Sequence, residues 1–289
     1  MLTIFDVQPV PSDGGEPGHV ASAPHRYVGS SDGGRRQMVD GSQILAQALV
    51  AAAKCLPAKT IRSAHAVFSR TVAADQPIQL DVEVVHEGRS FATAVVTAAQ
   101  GARRCVQVTV LLDTPTADVI RHHSALPTAV GRQDALTCVM PMVGRDLRIV
   151  GLRDPNDPAE VGPPVIDAWV HYDPIPTRPD LAAALLAHFT GHLSISATMR
   201  PHPGMGTAMA HDSVSTGVLA IGVTFHEPTS WDGWLLYHHE STQVGAGMAH
   251  VRGQVFTGDG RLVASFYQDA MIRPFVVDAV IDRPVEERL

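Results

Sequence analysis

Cysteine is scarce in this sequence. Among its 289 residues there are only three cysteines, Cys55, Cys105 and Cys138, and no two of them form a CxxC pair. An odd number of widely spaced cysteines in apolar surroundings is typical of buried free thiols, which argues against a disulfide framework and indicates a reducing compartment. We therefore expect a cytoplasmic protein.

Targeting signals, long apolar runs and basic stripes are also missing. The N-terminus has no basic region followed by an apolar stretch, and no run of about 18 apolar residues is evident, so we expect neither a signal peptide nor a membrane span. The net charge is −7 and no basic stripe is visible. Because phosphate backbones bind clustered lysine and arginine, nucleic acid is not expected as a partner.

Several catalytic and cofactor motifs are absent. The 15 histidines form no HExxH or HxH motif, and His238 and His239, as neighbours on a strand, point to opposite faces, so no metal site is expected. The glycines of residues 31–36 lack the Lys-Ser/Thr of a phosphate-binding loop, and no G-x-S-x-G nucleophile elbow occurs. We therefore expect no bound cofactor.

Two strongly apolar helices dominate what is present. Residues 44–55 are apolar almost all round, and Asp40 or Ser42 can cap the helix that they form. Residues 178–199 predict a second such helix with Pro179 in its first turn. Gly191 inside it costs about 1 kcal/mol relative to alanine, which indicates a bend or close packing there.

Each half contains, beside its helix, several predicted strands. In the first half these are residues 78–86, 90–100 and 104–113; in the second they are 165–173, 216–228, 234–245, 248–257 and 261–273. A helix that is apolar on every face must be wrapped, and a curled antiparallel sheet can do that. The predicted class is α+β, a double hotdog in which two antiparallel sheets each wrap a long apolar helix. The predicted domains are 1–127 and 165–289, with 128–164 as the connection.

Four stretches resemble the acyl-CoA thioesterase II family of double hotdog enzymes. They are DGSQILAQAL (40–49), HEGRSFATAVVTAAQ (86–100), WDGWLLYHHEST (231–242) and VRGQVFTGDGRLVASFYQDAMIR (251–273). The resemblance implies hydrolysis of fatty acyl-CoA to the free acid and CoA, without a covalent acyl-enzyme. It also implies a site in which an Asp, a Thr or Ser, and a Gln together position and activate a water.

Matched residue by residue, this chain keeps one of the three family positions. The glutamine falls on Gln268, whereas the carboxylate position falls on Gly191 and the hydroxyl position on Val218. His192 is a candidate replacement for the missing carboxylate, because an imidazole titrates near neutral pH. The resemblance therefore implies the fold and leaves the catalytic set incomplete.

Two further residues are candidates to repair the site. A shift of two residues along the strand places the hydroxyl of Thr216 on the same face as Val218. Asp212, in the preceding loop, is the only nearby carboxylate. For coenzyme A itself, Arg70 and His65 in the run SAHAVFSR match the resemblance and are the predicted substrate-binding residues, with Arg70 near the phosphates.

The incomplete site leaves two other functions open. One is a non-hydrolytic acyl-CoA binding protein on the same fold, motivated by Gly191 and Val218. The other is a hydratase of enoyl-CoA that uses His192, although the Asp–His spacing of such enzymes is not found. In each case the partner is acyl-CoA, and the exposed strand edges of such sheets predict a homo-oligomer.

Overall fold

The computed structural model describes residues 1–11, 25–31, 37–127, 131–138, 144–210 and 212–275. The helices are α1 (Leu2–Phe5), α2 (Gly41–Cys55), α3 (Pro179–Thr190) and α4 (Ser194–Met199). The strands of the first half are β1 (Gln8–Pro9), β2 (His25–Gly29), β3 (Thr60–Phe68), β4 (Ile78–Glu87), β5 (Phe91–Gln100) and β6 (Arg103–Asp113). Those of the second half are β7 (Ala135–Thr137), β8 (Arg145–Val150), β9 (Val165–Tyr172), β10 (Val214–Phe225), β11 (Leu235–Gly245), β12 (Met248–Thr257) and β13 (Leu262–Pro274).

The strands of both halves are hydrogen-bonded in one continuous antiparallel order. The thirteen strands run in the order β1-β2-β4-β5-β6-β3-β10-β13-β12-β11-β9-β8-β7. The two halves join where β3 pairs with β10, with His65 opposite Gly222. Strand edges left open in each half pair with one another here, which satisfies backbone groups that an isolated edge would expose.

The first helix is buried on every side, as its composition predicts. In α2 every residue from Ser42 to Ala52 is buried, including the polar Gln43 and Gln47. The helix packs against β3 to β6 on one side and against α3 on another. Gln47 donates to the carbonyl oxygens of Ile4 and Ser30, at 2.8 and 2.7 Å, so its amide nitrogen is satisfied inside the core.

The second predicted helix is two helices in the structure. After α3 ends at Thr190, Leu193 takes a left-handed conformation with φ 65°, and α4 then begins at Ser194. The break confirms the bend expected at Gly191. The combined stretch Pro179–Met199 is long and apolar enough to cross a membrane, but most of it is buried inside the fold, as a core helix is.

The predicted strands all form, and the structure contains further strands. β3 follows directly after α2, and β8 with β7 lies inside the predicted connection of residues 128–164, where β8 pairs with β9. β3 was missed because its sequence, TIRSAHAVF, carries four polar residues. The domain boundaries at 127 and 165 stay a prediction.

Candidate active site

Gln268 lies on the inner face of β13, which faces the helices. Phe266, Gln268 and Ala270 alternate inward and are buried, while Tyr267 and Asp269 point outward. Gln268 is fully buried, and neither its amide oxygen nor its amide nitrogen has a hydrogen-bond partner within the described residues. Because buried amides are almost always paired, this one is available to a water or a ligand.

The register of β10 fixes where the hydroxyl candidates lie. Ile221 is opposite Gln268, Val218 is opposite Ala270, and a bulge separates the two positions. Thr216 is opposite Ile272, four residues from Gln268, which is about 13 Å along the strand. The buried Thr216 therefore faces inward, as predicted, but lies too far along the sheet for direct contact with Gln268.

The loop carboxylate lies before the start of β10. Asp212 is exposed in the turn that leads into β10, and its backbone NH donates to the carbonyl oxygen of Met209. This turn precedes Val214, which pairs with Pro274 at the far end of β13. Along the chain, Asp212 is therefore farther than Thr216 from the β10 residue that lies opposite Gln268.

Gly191 lies against Ser42 of α2. A Cβ added at Gly191 would come within 2.5 Å of the Ser42 Cβ and 2.7 Å of its Oγ, and within 3.5 Å of Ile221 Cδ1. Real Cβ atoms do not come this close to other heavy atoms, so a side chain at residue 191 would require Ser42 to shift. The hydroxyl of Ser42 occupies the space where a carboxylate at residue 191 would begin.

Ser42 begins a chain of polar contacts through two histidines. Its Oγ lies 3.3 Å from His188 Nδ1, and His188 Nε2 lies 3.4 Å from His192 Nε2. Ser42 and His188 are buried, whereas His192 is partly exposed. The predicted residue His192 is thus the outer end of a chain whose inner members, Ser42 and His188, were not identified from the sequence.

A sequence signal for the histidine pair does exist. His188 and His192 are four residues apart, the spacing that brings side chains together on one face of a helix. Thr190, the family-matched neighbour of Gly191, does not join them, because its hydroxyl donates to the carbonyl oxygen of Ala187 at 2.6 Å. Ser42 has no comparable signal, since it is 146 residues from His188.

Charges near His188 act on it in opposite directions. Burial lowers the pKa of His188 well below its usual value, and His192 and Arg145 lower it further, while Asp40 raises it. Asp40 stands at the start of α2, where its side chain makes no capping hydrogen bond. At neutral pH His188 is therefore an uncharged imidazole, and in the tautomer protonated at Nε2 its Nδ1 accepts a hydrogen bond from Ser42 Oγ.

Arg145 places a largely buried guanidinium beside the same helix. Its Cζ lies 5.0 Å from the centre of the Phe189 ring, and its Nε and Nη1 have no hydrogen-bond partner within the described residues. Burial lowers the pKa of Arg145 to about 10, so it remains positive at neutral pH. Its positive charge acts to lower the pKa of His188 and that of the buried hydroxyl of Tyr237.

A second buried serine–histidine pair lies under α4. Ser194 Oγ is 3.2 Å from His239 Nδ1, and both residues are fully buried. His239 Nε2 has no hydrogen-bond partner within the described part of the chain. Burial lowers the pKa of His239 to about 3, and the neighbouring His238 lowers it too.

The predicted coenzyme-binding residues lie away from the inner face. His65 is exposed on the outer face of β3, where its Nδ1 lies 2.8 Å from the hydroxyl of Tyr267. Arg70 is exposed just after β3, and its Nη1 donates to the carbonyl oxygen of Arg104 at 3.0 Å. His65 is thus on the opposite side of the sheet from Gln268, and the coenzyme-binding roles of both residues stay predictions.

Comparison with known proteins places this architecture in a class. A solved structure with a hot dog fold, from Alicyclobacillus acidocaldarius, superimposes with a TM-score of 0.70 over 94% of this chain and 97% of its own, at 17% identity. A solved acyl-CoA thioesterase II TesB2 from Mycobacterium marinum gives a TM-score of 0.75 over 94% and 97%, at 25% identity. The fold is therefore of the hotdog type.

The sequence comparisons identify the family. Residues 33–112 match the model of the acyl-CoA thioesterase N-terminal domain, and residues 123–272 match that of the C-terminal domain. Acyl-CoA thioesterase 2 of Haemophilus influenzae is 26% identical over 263 residues, which is 84% of this chain and 90% of that protein. The chain belongs to the acyl-CoA thioesterase family, as its motifs predicted.

Proposed function

We infer that this chain hydrolyses acyl-CoA thioesters to a carboxylic acid and CoA. The observation that carries the inference is Gln268, which occupies the matched family position and whose buried amide has no hydrogen-bond partner among the described residues. Matches to both family domains support the same reaction. The amide oxygen of Gln268 accepts a hydrogen bond from the attacking water, while its NH₂ group is free to donate to substrate.

A thiol-release assay tests this function. Purified protein is mixed with acyl-CoA substrates from short to long chains, and free CoA is measured with a thiol reagent. Gln268→Ala is expected to lower kcat at least about 10²-fold, because it removes the groups that hold the water. Gln107→Ala is the matched control, since Gln107 is also a strand glutamine but is exposed on β6. Absence of thiol release from the unaltered protein across the panel would contradict the function.

The same experiment decides the non-hydrolytic alternative. Saturable binding of acyl-CoA without thiol release would assign the chain a binding role instead. The loss of hydrolysis would then be explained by the glycine at residue 191, where the family has its carboxylate. A fatty acyl group is the proposed substrate, and its chain length is the result that the panel supplies. The enoyl-CoA hydratase alternative predicts loss of enoyl absorbance, which is measured on the same preparation.

The proposal extends to the organisation of the protein. Each half is one hotdog unit, and the pairing of β3 with β10 joins the two sheets at their edges. Support comes from the two family domains, which divide the chain between residues 112 and 123. Self-association and a cytoplasmic location belong to the same proposal, and size-exclusion chromatography with light scattering tests the first.

A further inference from the structure

We propose that Ser42, His188 and His192 replace the missing carboxylate and carry the proton of the attacking water outward. This inference rests on the proposed hydrolysis and adds the residues that activate the water. The contacts that support it are the 3.3 Å separation of Ser42 Oγ and His188 Nδ1 and the 3.4 Å separation of the two imidazole Nε2 atoms. Ser42 is the member that contacts the water, and the two histidines act through it.

The packing of Gly191 explains why the chain uses a hydroxyl at this point. Ser42 comes from α2 in the first half, and its Oγ lies 2.7 Å from where a Cβ of residue 191 would be. The serine therefore brings a polar group to the place from which an aspartate at residue 191 would extend. The Cδ1 of Ile221 would lie 3.5 Å from the same Cβ, and Ile221 is opposite Gln268 in the pairing of β10 with β13, so Ser42 adjoins the neighbour of Gln268.

The proton steps balance without a metal or a second reactant. The water oxygen bonds to the thioester carbonyl carbon as one water proton passes to Ser42 Oγ. The Ser42 proton passes to His188 Nδ1, and the proton on His188 Nε2 passes to His192 Nε2. The tetrahedral intermediate then expels CoA as a thiolate, and the protons return along the same path: from His192 Nε2 to His188 Nε2, from His188 Nδ1 to Ser42 Oγ, and from Ser42 to the thiolate sulfur. The products are the carboxylic acid and CoA, and all three side chains return to their starting states.

The burial of the two histidines sets the direction of transfer. Because His188 is fully buried, a positive charge does not persist on it, and it passes the proton on as it receives one. His192 is partly exposed, so water can stabilise its imidazolium. The charged groups that bear on His188 are His192, Asp40 and Arg145, and of these Asp40 alone favours protonation.

The second buried pair does not offer the same path. Ser194 and His239 have a similar separation of 3.2 Å, but His239 Nε2 meets no hydrogen-bond acceptor within the described residues. Its proton has no outlet toward solvent through a second imidazole. Ser194 also lies beyond the break after α3, three residues from Gly191, and fills no space at residue 191. This pair is therefore the matched comparison.

Paired substitutions in the full chain test the proposal. Ser42→Ala and His188→Gln are each expected to lower kcat by about 10²-fold or more with little change in KM, because they remove proton transfer and leave substrate contacts in place. Ser194→Ala and His239→Gln are expected to lower kcat less than about 5-fold. Thermal melts of all four variants establish that each is folded when it is assayed.

Rescue separates proton transfer from a structural role. Ser42→Thr keeps the hydroxyl. Its kcat is expected to stay above about a tenth of the value of the unaltered chain, whereas the kcat of Ser42→Ala falls by about 10²-fold. His192→Ala is expected to regain activity when imidazole is added to the buffer, whereas His188→Gln is not, because His188 is sealed from solvent. The acid limb of the kcat–pH profile should also disappear from the residual rate of His188→Gln.

Each outcome bears on one proposal. Thiol release from the unaltered protein, together with unchanged kcat in Ser42→Ala and His188→Gln, would overturn the relay and leave the hydrolase function standing. Loss of activity in the Ser194 and His239 variants alone would assign the relay to the second pair and likewise overturn it. Lack of thiol release from the unaltered protein would instead reject the proposed function itself.

Discussion

The two buried serine–histidine pairs use the same groups in different surroundings. Ser42 and His188 bridge α2 and α3, which belong to different halves of the chain, and continue to the partly exposed His192. Ser194 and His239 lie within the second half, and their contact ends at an unpartnered ring nitrogen. A serine next to a histidine is therefore not by itself a signature of catalysis. The outlet for the proton and the neighbouring glycine distinguish the first pair from the second.

The largest expected effect comes from placing a carboxylate beside the first pair. Gly191→Asp is expected to lower the free energy of unfolding by about 3 kcal/mol or more, because its Cβ overlaps Ser42 and Ser42 must shift to admit it. Gly217→Ala is the matched glycine replacement on β10, since only a methyl of Met271, at 3.7 Å, meets the added carbon. Urea unfolding monitored by circular dichroism measures both.

A double substitution sharpens the same point. Ser42→Gly opens the space at residue 191, so Ser42→Gly/Gly191→Asp is expected to recover most of the stability that Gly191→Asp loses. It is also expected to release thiol faster than Ser42→Gly alone, because a carboxylate again adjoins the water. If the double variant is as unstable as Gly191→Asp, the reciprocal fit of Ser42 and Gly191 is wrong.

An intermediate effect is expected on stability in acid, and here both pairs behave alike. The pKa of His239 is about 3 when folded against its usual 6.5, so between these values the unfolded chain binds a proton that the folded chain does not. The contribution of His239 to the free energy of unfolding is therefore fully present above pH 6.5. It falls by about 1.4 kcal/mol for each pH unit below that value. The lowered pKa of His188 adds loss of the same sign.

Single substitutions separate the two contributions. Urea unfolding at pH 7, 6 and 5 is expected to show a shallower decline in His239→Gln and also in His188→Gln than in the unaltered chain. Thiol release, by contrast, should depend on His188 alone. An unchanged decline in His239→Gln would show that this imidazole is protonated in the folded state, contrary to its burial.

The smallest expected effect is a shift of the kcat–pH profile through two distant charges. Arg145 lowers the pKa of His188 and Asp40 raises it, and neither bears on His239. Arg145→Met is therefore expected to move the acid limb to higher pH, and Asp40→Asn to lower pH, each by up to about 1 unit. If both variants shift the acid limb in the same direction, His188 is not the group whose protonation produces that limb.

Some of the site was predictable because it depends on neighbours in sequence. Gln268 was found from its motif, and the buried, unpartnered position fits the prediction, although its catalytic role awaits the assay. The helix break was predicted from Gly191, since a glycine in an apolar helix carries a cost that packing must offset. The buried state of α2 followed from its composition for the same local reason.

Other parts depend on contacts between distant residues. Ser42 reaches His188 only because α2 packs on α3, and no local pattern records that packing. The distance of Thr216 from Gln268 follows from the register of β10 on β13, which alternation alone does not fix. The joined sheet was missed for a related reason: a strand's sequence does not reveal that its partner lies in the other half.

The pairing of β3 with β10 also determines how this molecule unfolds. Five residue pairs from Val67–Ala220 to Ser63–Thr224 hold the halves together, and α2 covers α3 beside them. Separating the halves would expose both strand edges and an apolar helix surface in one event, so we expect neither half to be stable as an isolated fragment. The molecule is therefore expected to melt in a single cooperative transition, and proteolysis within residues 114–127 should leave the two fragments associated.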